Sequence, residues 1–101
     1  MARNRVELSG RLLELGALRH TPAGLAALEF KLAHESEQDE AGTKRKVLAE
    51  IGAIAFEAQA RLIAARPLGS GLRVEGFLSA KSVRAKKLVL HVTNVEFVEG
   101  E

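Results

Sequence analysis

Residues 71–98, GLRVEGFLSAKSVRAKKLVLHVTNVEFV, decide the fold. Two runs of alternating apolar and polar residues, LRVEGFL and KLVLHV, flank AKSVRAK, in which Lys81, Arg84 and Lys86 occur without an acid and Lys87 follows directly. Alternation with a period of two marks a strand with one buried face. The segment therefore reads as a β-hairpin with a cationic tip. Such a tip has two explanations. One is the easy solvation of Lys and Arg on an exposed turn. The other is contact with a polyanion, in which each neutralised phosphate releases a condensed counterion. The rest of the chain has to decide between them.

Immediately upstream, residues 54–66, IAFEAQARLIAAR, change from strand to helical spacing, with Ile54, Ala58, Leu62 and Ala65 or Arg66 recurring on one face. Pro67, Gly69 and Gly71 follow and end the helix. Before it, KVLAEI at 46–51 is a third strand. Its alternation puts Val47, Ala49 and Ile51 inward and Lys46, Leu48 and Glu50 outward, unless the strand is shifted by one residue, which reverses every assignment. An outward Leu48 is either a singly exposed leucine or an apolar platform on which a base can rest.

Further back, HESEQDEAGTK at 34–44 carries four acids with no apolar period and reads as an exposed, mobile loop. Leu28, Phe30 and Leu32 alternate with Glu29 and Lys31 in a second strand, and RHTPAG at 19–24 is a turn set by Pro22 and Gly24. RVELSGRL at 5–12 is the first strand, with Arg5, Glu7, Ser9 and Arg11 on its outer face. Gly10 marks a bulge or sharp bend in that strand. Beyond it Leu12, Leu13 and Leu15 cannot share one face, as expected of a coiled strand that serves two halves of a sheet.

The order is three strands, one helix, two strands, with no repeat or linker. This predicts a mainly all-β chain of one domain, residues 1–101, folded as a five-stranded OB-fold Greek-key barrel with a helix between strands 3 and 4. At 101 residues it is long enough to bury a core without staples. Cysteine is absent, which excludes disulfides and thiolate zinc sites and fits a reducing cytoplasm. The only aromatic residues are four Phe, so a stacking surface rich in Trp or Tyr is excluded. Neither a signal-peptide h-region nor a membrane-spanning run is present.

The net charge of +2 argues nothing by itself, since fifteen bases face thirteen acids. Their distribution matters more: acids gather at 35–40, bases at 44–46 and in the last hairpin. His20, His34 and His91 lack metal-ligand spacing, and no nucleophile, Walker-type or dinucleotide motif occurs. No enzyme, metal or cofactor is expected.

The chain resembles the primosomal replication protein N (PriB) family, itself similar to the single-stranded DNA-binding proteins. The likeness rests on NRVELSG, TPAGLAALEFKLAHES, DEAG, VEGFLSAKS and KLVLHVTNVE in that order. It implies a non-enzymatic homodimer that binds single-stranded DNA and contacts the restart helicase PriA, and in some bacteria the loader DnaT. By that resemblance Lys81, Arg84 and Lys87, with Lys86 adjacent, are DNA-binding, as is Arg19; Arg11, Lys46 and Leu48 complete the candidate set.

The family pattern is not fully kept. Leu48 and Thr43 stand where aromatics are expected, and Glu14 and Glu35 where bases are expected. A stacked base contributes roughly 1 to 3 kcal/mol, so the basic hairpin is expected to carry more of the affinity here, with a steep dependence on salt. Two alternatives stay open: a general single-stranded DNA-binding protein, against which stands an end, VEFVEGE, without linker or acidic tip, and an OB module that meets an acidic protein partner instead of DNA.

Overall fold

The computed structural model describes residues 1–99. Its strands are β1 (Val6–Leu15), β2 (Arg19–His20), β3 (Ala26–Glu40), β4 (Thr43–Phe56), β5 (Gly71–Ala80) and β6 (Leu88–Val98), with one helix, α1 (Glu57–Ala64), between β4 and β5. The ring closes through β1. Its first half, Val6 to Arg11, pairs antiparallel with β5, and its second half, Arg11 to Leu15, pairs with β3. The order β1-β5-β6-β4-β3 then returns to β1, with β4 and β6 meeting in parallel at Ala53–Ala55. This is the expected OB-fold barrel, with the two-residue β2 added at the edge of β3.

The slip of apolar phase in β1 has a direct cause. A bulge between Leu12 and Glu14 buries Leu12 and turns Leu13 out to solvent. Gly10 has a different role from the expected bulge. It stays in register with Leu72, but a Cβ there would lie 2.7 Å from the carbonyl oxygen of Ala33, so only glycine lets β1 cross β3 so closely.

Two readings of the sequence are overturned. The acidic segment 34–44 is not a mobile loop: β3 and β4 continue as a paired arm to a two-residue turn at Ala41 and Gly42. Both turn residues have positive φ, 52° and 79°, the geometry that matches the twist of a hairpin. Four acids facing three bases across the arm explain the missing apolar period. Lys46 meets Glu35 at 3.2 Å, Lys44 meets Glu37 at 3.5 Å, and Arg45 meets Glu40 at 2.7 Å. An arm that buries neither face needs no apolar residues. It also helps explain a radius of gyration of 14.4 Å, above the roughly 13 Å of a compact chain this long.

The helix is also shorter and rotated from expectation. Ile54 and Ala55 belong to β4, held by Glu29 and Leu28 on one side and by His91 and Val92 on the other. Sheet pairing on both edges outweighs the helix propensity of an Ala-rich segment. The buried side of α1 is Ala60 and Ile63, while Ala58, Leu62 and Arg66 face solvent. Ile63 is fully buried in the core with Leu12, Leu28, Leu32, Leu72, Val74 and Leu90.

In β4 the alternation keeps the unshifted register, with Ile51 and Val47 half-buried, Ala53 and Ala55 buried, and Lys46, Leu48 and Glu50 exposed; Ala49, expected inward, is exposed because it lies on the arm root rather than over the core. In β6 Thr93 is the additional residue of a second bulge, opposite Glu75 and Gly76. Leu90 and Val92 are buried before it, and Val95 and Phe97 pack on the core after it.

Candidate nucleic-acid interface

The barrel's own pairing builds the cationic tip. β5 and β6 stay in register to Ala80 and Leu88, and the amide of Lys81 then donates to the carbonyl of Lys87 at 2.9 Å. Inside that rung Ser82 caps the turn: its amide donates to the Ala85 carbonyl at 3.1 Å, and its Oγ accepts from the Ala85 amide at 2.9 Å. These bonds brace the base of the tip, while Lys81, Arg84, Lys86 and Lys87 stay exposed.

Electrostatics separates these four from most other bases. Arg5 pairs with Glu7 and Glu75, Arg19 with Glu29, Lys31 with Glu14, Arg61 with Glu57 and Arg73 with Glu96, in addition to the arm pairs. Among the described residues no carboxylate lies within ion-pair distance of any base in the tip. Four positive charges within seven residues repel one another and attract an anion. A near-neutral chain thus carries a locally cationic projection.

The remaining sequence candidates fall elsewhere. Arg11, Lys46 and Leu48 line one open cleft of about 1120 Å³ between β1 and the root of the arm, together with Glu35 and Glu50. Lys46 is matched there by Glu35, and the Arg11 guanidinium donates to the Gly69 carbonyl at 3.0 Å. Leu48 is 69% exposed on the cleft wall. Arg19 sits on β2, outside the cleft, 3.8 Å from Glu29. The structure therefore gathers the tip residues in one place and Arg11, Lys46 and Leu48 in another.

Sequence reasoning missed an aromatic stack. Phe77 of β5 and His91 of β6 are cross-strand partners whose rings lie 4.9 Å apart and 14° from parallel. Phe56, at the end of β4, lies 6.4 Å from His91 on its other side. Gly76 sets this geometry, because a Cβ there would overlap the His91 carbonyl oxygen. The outward phase of Phe77 is readable in LRVEGFL, but its partner depends on the Thr93 bulge. Among the described residues no group of three or more His, Asp or Glu side chains is placed to hold a metal ion, and no helix is long and apolar enough to cross a membrane.

The family model described as another single-strand binding protein family matches residues 4–94. The chain is 47% identical over 97 residues to the replication restart protein PriB of Bordetella pertussis, covering 96% of this chain and 91% of that one. The chain belongs to the PriB family. The PriB of Nitrosomonas europaea is 41% identical over 96 residues, covering 95% of this chain and 89% of its own. The PriB structure from Ralstonia solanacearum superposes with a TM-score of 0.86 at 31% identity, covering 96% of this chain and all of that one. A single-stranded DNA binding protein from Thermus aquaticus matches at a TM-score of 0.77 and 28% identity, covering 98% of this chain but 52% of its own. PriB relatives thus align along nearly their whole length, whereas the longer protein shares one barrel with this chain.

Proposed function

We propose that this chain is a non-enzymatic, single-stranded DNA-binding accessory of replication restart, holding the strand by the 81–87 tip and the outer barrel face. The observation that carries this reading is the tip itself: four exposed bases without an acidic partner on a hairpin end braced from Lys81 to Lys87 and from Ser82 to Ala85. A tip built only for solubility would work equally well with acids interspersed, as the arm of the same chain has them. Membership of the PriB family supports the assignment to restart and, with it, contact with a PriA-type helicase.

The exposed edge of β1 supports a homodimer. Val6 to Ser9 bond to β5 on one side, and β3 joins β1 only from Arg11 onward. The other edge of that half is open to antiparallel pairing with its counterpart in a second copy, which would align two tips on one assembly.

Fluorescence anisotropy with labelled oligo-dT and with duplex DNA, each at two salt concentrations and repeated with PriA, tests the reading. Preference for the unpaired strand that falls steeply with salt is expected. Equal binding of duplex, or no binding of oligo-dT even in dilute buffer, overturns it.

A further inference from the structure

Only two of the four phenylalanines are used conventionally. Phe30 is buried in the core, and Phe97 is covered by the Arg66 guanidinium, 3.8 Å from its ring centre. The other two, Phe56 and Phe77, are 36% and 39% exposed, and both belong to the stack around His91. Their exposed third adds little to folding, and it is grouped on one face. Two in one patch, in a chain so poor in aromatics, mark a contact surface.

The patch continues into the cationic tip. Along β5, Phe77, Ser79 and Lys81 have the same parity, and along β6 so do His91, Val89 and Lys87, joined by the rung between Lys81 and Lys87. From Phe77 to Lys81 the strand advances about 13 Å. Flat rings followed by unpaired cations on one face match a ligand that alternates flat bases with phosphates. Leu48, by contrast, has no π-face to offer.

We propose that Phe77, His91 and Phe56 form the platform on which unpaired nucleobases stack, in a path that leads from the tip across β5, β6 and the end of β4. This rests on the reading of the chain as a single-stranded DNA binder. It adds the surface that reads the bases, where the tip holds only the backbone.

The chain contains neither Trp nor Tyr, so Phe77→Trp introduces a lone reporter at the stack. Its emission is expected to be quenched by saturating oligo-dT and to stay unchanged with an abasic deoxyribose-phosphate oligomer of the same length, which engages the tip alone. Phe77→Leu, which keeps an apolar side chain without a π-face, is expected to weaken oligo-dT binding about tenfold at an unchanged salt slope. Circular dichroism confirms that both variants are folded. Unchanged affinity of Phe77→Leu, or equal quenching by the abasic oligomer, overturns the platform while leaving the tip reading intact. Loss of dimer mass in light scattering on Phe77→Leu assigns the patch to subunit contact and also overturns it. Failure of the unaltered protein to bind oligo-dT would instead remove the underlying reading.

Discussion

The amide of Lys81 donates to the carbonyl oxygen of Lys87 at 2.9 Å, one rung beyond the last paired residues of β5 and β6. This bond fixes two cations at the mouth of the tip and carries the parity of the strands into the loop. The charges consequently stand on a structured hairpin end rather than on a free coil, so less conformational freedom has to be lost when a strand is bound.

Replacing Lys81, Arg84 and Lys87 together by alanine removes three candidate phosphate contacts. Single strands lose about 0.7 in log–log salt slope per contact, so the slope is expected to fall by about 2, with affinity reduced at low salt and the fold retained. Titrations of oligo-dT across a salt series check this, and a pull-down with PriA shows whether protein contact survives. Loss of PriA contact with DNA binding intact would favour the protein-interaction module.

Leu48 stands exposed on the cleft wall where an aromatic residue has room. Leu48→Trp is expected to tighten oligo-dT binding about tenfold through base stacking, and Leu48→Ala to change it less than threefold. Anisotropy at a single salt concentration distinguishes the two variants.

Gly76 and Gly52 test the packing argument. A Cβ at Gly76 would collide with the His91 carbonyl, whereas none of the surrounding atoms lies within 4 Å of one at Gly52. Gly76→Ala is expected to cost about 3 kcal/mol or more, because backbone on both strands must move, and to lower Tm by more than about 10 °C. Gly52→Ala is expected to stay within about 0.5 kcal/mol of the parent. Thermal melts of both variants decide the matter.

Glu57 opens α1 with φ of 52°, a conformation that disfavours side chains, and its carboxylate accepts from Arg61 at 2.9 Å and from the Ala26 amide at 3.3 Å. The Arg61 bond, with help from Ala26, holds the Glu57 carboxyl below its ordinary pKa of 4.5. A depressed folded-state pKa means that the stabilisation is complete above the unfolded value and is lost as pH falls through the folded one. Glu57→Gln is therefore expected to lower Tm near neutrality and to converge with the parent as the pH falls through the lowered folded-state value. Melts from pH 7 to pH 3 measure this, and a constant gap would exclude the linkage.

Much of the barrel was legible because period-two alternation needs only local reading. Leu28, Phe30 and Leu32, or Leu72 and Val74, declare their buried face without reference to a partner, and the cationic tip is contiguous in sequence. The arm at 34–44 was illegible for the opposite reason. It buries no face, so its strands exist through cross-strand bonds and through ion pairs such as Lys46 with Glu35, and their register can be seen only once the chain is folded.

What the amino-acid order determined by itself was the kind of elements, their succession and the cluster of bases at 81–87, since each follows from neighbours along the chain. Tertiary structure alone decided which bases are neutralised and that Phe77 lies against His91. The ion pairs follow from the β3–β4 register and the Phe77 contact from the β6 bulge at Thr93 and the close approach at Gly76, contacts between residues distant in sequence that no local period encodes.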